Sequence, residues 1–245
     1  MQMIWQQYYS ESEEGVAITP EQASAFAKDV AGDFNPIHDE DARRFCVPGD
    51  MLFAILLERF GLYQTMFCRF HNMVGRQARL QFVEAGDGRI NVVDRAGKLY
   101  LEATHEGRRT LDPAAIADFS RRYVAFSGHN FPHYLKPLME KHGVMFNPER
   151  PLVIYDSMGF SLQSLDVAGS DITFGGASMS VDGKRAEANL EFVIQDDGQE
   201  QGTGSKKLLI GGLRPYDAEI MDQTTQVFYK LRTDYEARRG STSCS

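Results

Sequence analysis

The 245-residue sequence is poor in cysteine, has a single tryptophan and contains no long apolar run. Its cysteines, Cys46, Cys68 and Cys244, are odd in number and lack metal-like spacing, which predicts free thiols in a reducing compartment. The longest apolar run, residues 51–57, is far too short to cross a bilayer. The N-terminus lacks the basic and apolar segments of a secretory signal. We therefore expect a soluble cytoplasmic protein without a membrane partner.

Positive charge is also scarce, with 26 basic against 34 acidic residues and a net charge of -8. This balance argues against nucleic acid as the main partner, because its phosphates attract basic surfaces. No metal or cofactor is expected either. His129 and His133 stand four residues apart, but Pro132 lies between them and no third ligand is near. The glycines and lysines of residues 202–207 are a weak phosphate-loop signal, because no helix follows them.

The stretch with the most pointed chemistry is residues 32–39, which read GDFNPIHD. It places the carboxylate of Asp33 and the imidazole of His38 five residues apart across the Asn35-Pro36 pair. Proline disfavours helix at the residue before it and has no N–H to donate, so these residues are predicted to form a shaped loop. An aspartate and a histidine on such a loop can together hold and activate a water molecule.

Helices are predicted on both sides of this loop. Thr19-Pro20-Glu21-Gln22 combines a capping threonine, a proline at the first helical position and a glutamine three residues after the cap. Apolar residues then recur at helical spacing as far as Val30. After the loop, Pro48-Gly49-Asp50 starts a second helix. Residues 51–62 are apolar nearly all round, as in a helix that is buried on several sides.

The apolar period changes to two between residues 75 and 110, which predicts antiparallel strands joined by glycine-containing turns. The same order of elements then begins again. Asp112-Pro113 repeats the helix start, and residues 128–132 (GHNFP) echo residues 32–36 (GDFNP). Long alternating segments follow, with a hairpin predicted at Asp182-Gly183. We expect an α+β fold of two tandem copies whose sheets pair into one continuous layer.

Residues 30–52 resemble the MaoC-like, R-specific enoyl-CoA hydratase family of hotdog-fold proteins, through the Asp-x-Asn-Pro-x-His core from Asp33 to His38. Ala42, Phe45 and the helix from Met51 keep the order that this family shows. The resemblance implies a double hotdog, in which two antiparallel sheets each wrap a central helix and the second unit is degenerate. The expected divisions are residues 1–111, residues 112–220, and a C-terminal helix and tail at residues 221–245.

The resemblance also implies roles for the matching residues. Asp33 and His38 match the pair that activates the water added to a trans-2-enoyl thioester, which gives an (R)-3-hydroxyacyl product. The Asn-Pro turn presents them. Backbone N–H groups at the start of the second helix would receive the thioester carbonyl, because a helix start offers free donors to a developing negative charge. The predicted substrate-binding residues are Asn35, Gly49, Asp50 and Met51.

The chain departs from the family pattern at three points, one of which is a shorter segment between Phe45 and the second helix that would narrow or redirect the acyl tunnel. Gly49-Asp50 stands where the family has a His-Gly pair, which places a carboxylate beside the expected position of the thioester oxygen. His129 replaces the aspartate in the second copy and no histidine follows at the right spacing, so at most one site is expected in each chain.

Three functions remain open at this point. The chain could be a hydratase or dehydratase of acyl-CoA or acyl-carrier thioesters, or a thioesterase that directs the same water at the carbonyl. It could also be an acyl-thioester-binding or structural module without chemistry, which Asp50 favours. A monomeric pseudo-dimer or a homodimer is the expected assembly.

Overall fold

The computed structural model describes residues 4–242. Its α-helices are α1 (Pro20–Phe26), α2 (Gly49–Phe60), α3 (Pro113–Ala125), α4 (Leu135–Lys141) and α5 (Ala218–Thr242). The strands of the first half are β1 (Ser10–Ser12), β2 (Gly15–Ala17), β3 (Leu62–Phe70), β4 (Arg79–Gly86), β5 (Arg89–Asp94) and β6 (Leu99–Thr110). Those of the second half are β7 (Val144–Met145), β8 (Leu152–Leu162), β9 (Asp171–Asp182), β10 (Arg185–Asp196), β11 (Gln199–Gly211) and β12 (Arg214–Pro215).

One antiparallel sheet of ten strands dominates the described region, in the order β1-β2-β4-β5-β6-β3-β8-β11-β10-β9. β3 and β8 pair at its middle, from Thr65 opposite Ser161 to Arg69 opposite Ser157, and so join the two halves. Outward from this junction, the order is β3, β6, β5 and β4 in the first half and β8, β11, β10 and β9 in the second. Each half therefore places its first long strand at the junction, followed by its fourth, third and second. The predicted α+β class and continuous antiparallel layer are confirmed, and the strand order repeats.

α1 begins as its sequence predicts. The Thr19 hydroxyl accepts a hydrogen bond from the Gln22 N–H at 3.2 Å, and the Gln22 side chain accepts one from the Thr19 N–H at 3.0 Å. These two bonds satisfy donors that a helix start leaves open. After α1 the helix widens into a π turn over Ala27–Ala31 and ends at Gly32, where φ is 63°. A left-handed residue suits glycine, and it turns the chain into the 32–38 loop.

α2 is the predicted buried central helix, and residues 50–58 are all buried. Phe53 stacks on Tyr123 of α3 with ring centroids 4.4 Å apart and meets Phe160 of β8 edge-on at 6.2 Å. The prediction extended this helix to Leu62, but it ends at Phe60 because Gly61, with φ of 89°, turns the chain directly into β3. α2 therefore packs between the sheet and α3, as a central helix should.

Two strand predictions need correction. β3 was not predicted, although it lies at the middle of the sheet, because only Gly61 separates it from α2 and the predicted helix ran through its first residue, Leu62. β11 begins at Gln199 and includes residues 202–207, so the weak phosphate-loop signal belongs to a strand. A side chain at Gly204 would come within 2.3 Å of the Phe192 ring and 2.5 Å of the Gly159 carbonyl oxygen. Close packing explains this glycine.

The two cysteines within the described residues, Cys46 and Cys68, are free and buried. Burial raises the pKa of the Cys46 thiol to about 11 and that of Cys68 to about 12. Cys244 lies outside the described residues. Over residues 4–242 no helix is both long and apolar enough to cross a membrane, and no group of His, Cys, Asp and Glu side chains there could hold a metal ion. The cytoplasmic location stays a prediction.

Candidate functional site

The 32–38 loop is held by side-chain to backbone hydrogen bonds. The Asp33 carboxylate accepts one from the Asn35 N–H at 2.9 Å, and the Asn35 side-chain oxygen accepts one from the Ile37 N–H at 3.2 Å. Such turns are the usual local use of Asp and Asn. The Asn35 amide group also donates to the carbonyl of Val153 in β8 at 3.1 Å. Asn35 therefore fixes the loop of the first half to a strand of the second.

His38 is oriented by the backbone. Its Nδ1 lies 2.7 Å from the Cys46 carbonyl oxygen. Because a carbonyl can only accept, Nδ1 carries a proton, and in the neutral ring Nε2 is the acceptor. Nε2 faces Oδ2 of Asp33 at 3.7 Å. This distance is too long for a direct hydrogen bond and suits a pair of groups that share one water molecule.

The environment of Asp33 favours its protonated form more than a surface position would. Burial raises the pKa of the Asp33 carboxyl, and the nearby charges of His38 and Lys206 and the Asn35 N–H oppose this only in part. The Asp50 carboxylate adds to the increase. Asp33 nevertheless stays accessible, with 24% of its side chain exposed, because it borders a cavity.

This cavity has a volume of about 880 Å³, within the range of small-molecule sites. Asp33, Asn35 and His38 lie on its wall. Both halves of the chain and α5 contribute to it, and its apolar lining includes Leu52, Phe70, Phe131, Val153 and Phe228. Phe34 lies at the wall and packs edge-on against Phe228 of α5, with ring centroids 5.8 Å apart. A largely apolar chamber therefore adjoins the Asp-His pair.

The start of α2 meets the cavity only in part. Of the four predicted substrate-binding residues, Asn35 and Gly49 line the cavity, whereas Asp50 and Met51 do not. The Met51 N–H donates to the Pro48 carbonyl at 3.1 Å, and its side chain is fully buried in the core. Asp50 is 2% exposed and pairs with Lys206 at 2.8 Å. The Asp50 carboxylate therefore faces a buried lysine and does not line the cavity, and its predicted place beside a thioester oxygen stays a prediction.

Lys206 lies on β11 and is completely buried. Its ammonium donates to Asp50 Oδ1 at 2.8 Å, to the Tyr123 carbonyl at 2.9 Å and to Ser127 Oγ at 2.7 Å. An ammonium has three N–H donors, so each one has an acceptor here. Burial lowers the pKa of Lys206, and the carboxylates of Asp50 and Asp33 oppose that shift.

The network continues from Lys206 to the cavity wall. Tyr155 donates its hydroxyl hydrogen to Ser127 Oγ at 2.7 Å, and the Asn130 side-chain amide donates to the Tyr155 oxygen at 2.9 Å. Ser127, Asn130 and Tyr155 all line the cavity. Burial raises the pKa of Tyr155 well above its ordinary value, so the phenol stays a hydrogen-bond donor. Sequence reasoning missed these residues, although the echo at residues 128–132 contains Asn130.

The two echoing loops touch each other. A side chain at Gly128 would come within 2.5 Å of the Ala31 carbonyl oxygen and 2.9 Å of the Gly32 carbonyl oxygen. The glycine therefore permits a close backbone approach. His129, at the position of Asp33 in the echo, is exposed and borders a separate cleft beside Asp29. Only the first loop presents an Asp-His pair to the cavity.

Comparisons with known proteins give one family match. Residues 3–219 match the family model described as "Protein of unknown function (DUF3581)". The search of curated proteins finds no match in sequence.

Several solved structures are similar in fold. A protein described as a MaoC-like dehydratase is 9% identical, with a TM-score of 0.43 over 82% of this chain and 97% of that chain. The peroxisomal multifunctional enzyme type 2 of Drosophila melanogaster is 11% identical, with a TM-score of 0.43 over 78% of this chain and 47% of that chain. The acyl-CoA thioesterase II TesB2 of Mycobacterium marinum is 11% identical, with a TM-score of 0.38 over 71% of this chain and 92% of that chain.

Proposed function

The chain belongs to the DUF3581 family, and we propose that it binds an acyl thioester in the cavity and hydrates a trans-2-enoyl chain. The observation that carries this proposal is the pairing of Asp33 with His38. Their carboxylate oxygen and imidazole nitrogen face each other at 3.7 Å on the wall of a largely apolar cavity of about 880 Å³. Such a cavity suits an acyl chain, and the pair suits a water molecule that is to be activated.

The fold that goes with this function is a double hotdog. The repeated strand order, read outward from the β3 and β8 junction, supports two copies of one unit around that junction. The division between residues 111 and 112 falls in the short connection from β6 to α3. The second copy has no counterpart of β2 in the sheet as described, in keeping with a degenerate unit. Because both copies line the one cavity, the proposed functional unit is the pseudo-dimer within a single chain.

The proposed reaction begins with a water held between Asp33 Oδ2 and His38 Nε2. Nε2 takes a proton from the water as its oxygen bonds to C3 of the enoyl chain. The electron pair of the C2–C3 double bond moves toward the thioester, where negative charge develops on the carbonyl oxygen. C2 then takes a proton from the Asp33 and His38 pair, which gives the (R)-3-hydroxyacyl product and restores both groups. The raised pKa of Asp33 suits it to carry a proton during this exchange.

The start of α2 is the proposed site for the carbonyl oxygen. The Met51 N–H already donates to the Pro48 carbonyl, so the candidate donors are the N–H groups of Gly49 and Asp50, and Pro48 supplies no side-chain cap here. Gly49 reaches the cavity, so its backbone can approach a ligand closely. The ammonium of Lys206 compensates the Asp50 charge at 2.8 Å, and Asp50 therefore does not oppose a developing oxyanion. This arrangement favours turnover over a binding module without chemistry.

The test mixes the protein with crotonyl-CoA and follows the loss of the conjugated enoyl absorbance. Asp33→Asn and His38→Ala should each lower kcat by roughly 100-fold or more, the usual contribution of a general acid or base. Asp41→Asn and His129→Ala are matched controls, since both residues are exposed and neither lines the cavity. Both controls should keep wild-type activity.

The other outcomes of this assay are also informative. Release of free thiol without loss of the double bond would overturn hydration and identify a thioesterase that uses the same water. No reaction with enoyl-CoA substrates of several chain lengths would overturn both enzyme functions and leave a binding module.

A further inference from the structure

The polar network on the cavity wall has hydrogen-bonding groups that no described residue uses. Ser127 Oγ accepts from both Lys206 and Tyr155, so both of its lone pairs are occupied and its own O–H is uncommitted. Asn130 donates to Tyr155, but its side-chain oxygen is buried and has no partner among the described residues. One donor and one acceptor therefore remain on two neighbouring residues that line the cavity.

This count does not depend on the direction of the hydrogen bonds. If Ser127 donates to Tyr155 and Tyr155 donates to the Asn130 oxygen, Ser127 keeps a free lone pair and Asn130 keeps its N–H groups. The two residues then exchange roles, and a donor and an acceptor still remain. Lys206 fixes only one end of the network, because an ammonium can only donate.

An unused donor and acceptor in a buried position are costly unless a ligand or solvent satisfies them. Asn130 is 7% exposed and Ser127 is 3% exposed, and both residues line the cavity. A secondary amide is complementary to such a pair, since its carbonyl accepts and its N–H donates. Ser127 and Asn130 are both hydrogen-bonded to Tyr155, and Tyr155 packs 3.3 Å from the position that a Gly49 side chain would occupy. The two residues therefore lie close to the proposed reaction site.

We propose that Ser127 and Asn130 form a subsite for an amide group of the ligand, held in place by Tyr155 and the buried Lys206–Asp50 ion pair. This inference rests on the proposed binding of acyl thioesters, and it specifies the chemistry of the arm that bears the thiol. The subsite selects a thioester whose thiol arm contains an amide, as a pantetheine arm does, over a simple alkyl thioester.

The test compares two saturated ligands that cannot be hydrated. S-butyryl-N-acetylcysteamine has the amide, and S-(2-acetoxyethyl) butanethioate has an ester oxygen in place of its N–H. Calorimetric titration of the full chain should show that the amide ligand binds roughly 5- to 10-fold more tightly, as expected for one net hydrogen bond. One of the variants Asn130→Leu and Ser127→Ala removes the group that accepts from the N–H of the amide ligand, and this variant should bring the ratio of the two affinities to about one. The other variant removes the donor to the carbonyl. It should weaken the binding of both ligands equally, because both ligands retain a carbonyl.

Gln223→Leu is the matched control, since it removes an exposed amide that also borders the cavity on α5 and should leave the ratio unchanged. Equal binding of the two ligands to the wild-type protein would overturn the subsite while leaving thioester binding intact. A ratio that survives both Asn130→Leu and Ser127→Ala would overturn it as well. Failure of the wild-type protein to bind either ligand would instead contradict the proposed thioester function itself. Circular dichroism of each variant identifies any loss of folding.

Discussion

The loops at residues 32–36 and 128–132 start alike, with glycine, and end alike, with proline, yet their chemistry differs. The first presents an ionisable carboxylate to the cavity, opposite the imidazole of His38. The second presents the neutral amide of Asn130, and its histidine lies outside the cavity. The charged groups next to the second loop are instead buried, as the ion pair between Lys206 and Asp50. One loop thus carries a pair of titratable side chains, and the other carries neutral groups in a fixed pattern of hydrogen bonds.

Removing the buried ammonium of Lys206 should have the largest effect on the free energy of unfolding. Lys206→Met leaves Asp50 buried without its partner and takes one donor from Ser127. Breaking a buried ion pair in this way costs about 3–5 kcal/mol. We expect the free energy of unfolding, measured by urea denaturation, to fall by that amount.

The double variant Lys206→Met and Asp50→Leu is the control for this experiment. It removes both charges, so most of the lost stability should return, because well-packed apolar replacements of buried ion pairs are often tolerated. If the double variant is as unstable as the single one, the cost arises from packing and not from an uncompensated charge. Lys207→Met on the same strand, whose ammonium pairs with Glu187 at the surface, should change stability little.

The Asp33 loop and the Lys206–Asp50 pair also differ in how far the sequence could predict them. The Asp33 loop depends on local signals, since a capping box precedes it and a proline and two side-chain turns shape it within a few residues. Asp50 and Lys206 are 156 residues apart, and no local pattern joins them. Lys206 lies in a strand whose glycines reflect close packing, and this composition resembled a phosphate loop. Likewise β3 was missed because only Gly61 separates its first residue from the end of α2.

Where the two loops touch, an added side chain should be tolerated at Gly32 and not at Gly128. Gly128→Ala places a Cβ 2.5 Å from the Ala31 carbonyl oxygen, which the backbone must move to accommodate. Overpacking of this kind costs about 1–3 kcal/mol. Gly32→Ala meets nothing closer than 3.8 Å and loses only the left-handed preference at φ of 63°, at about 1 kcal/mol.

Thermal melting of the two alanine variants should therefore rank Gly128→Ala below Gly32→Ala. Gly143→Ala, at an open position with φ of 64°, reports the cost of the left-handed conformation alone. Gly128 has no positive φ, so a Gly128→Ala variant that melts at the wild-type temperature would show that the close approach of the two loops adds no cost.

The smallest effect concerns the proton on Asp33. Burial raises the pKa of this carboxyl in the folded protein, so its contribution to stability is complete below the unfolded pKa and is lost as pH rises through the folded pKa. The side-chain amide of the Asp33→Asn variant does not titrate. The variant should therefore gain stability relative to the wild-type protein as pH rises from about 4 to about 7.

Asp94 provides a control of opposite sign. Hydrogen bonds from the Lys98 N–H and the Tyr100 hydroxyl lower the pKa of the Asp94 carboxyl, so its contribution to stability is present above the unfolded pKa and is lost as pH falls through the folded pKa. Asp94→Asn should accordingly lose stability relative to the wild-type protein as pH rises from about 2 to about 5, the range below and around the unfolded pKa. Urea denaturation at several pH values measures both slopes. If Asp33 exchanges protons, the stabilities of the two variants relative to the wild-type protein should change with pH in opposite directions. Changes in the same direction would mean that the charged form of Asp33 is as well stabilised as a carboxylate at a turn. The first loop would then differ little from the second.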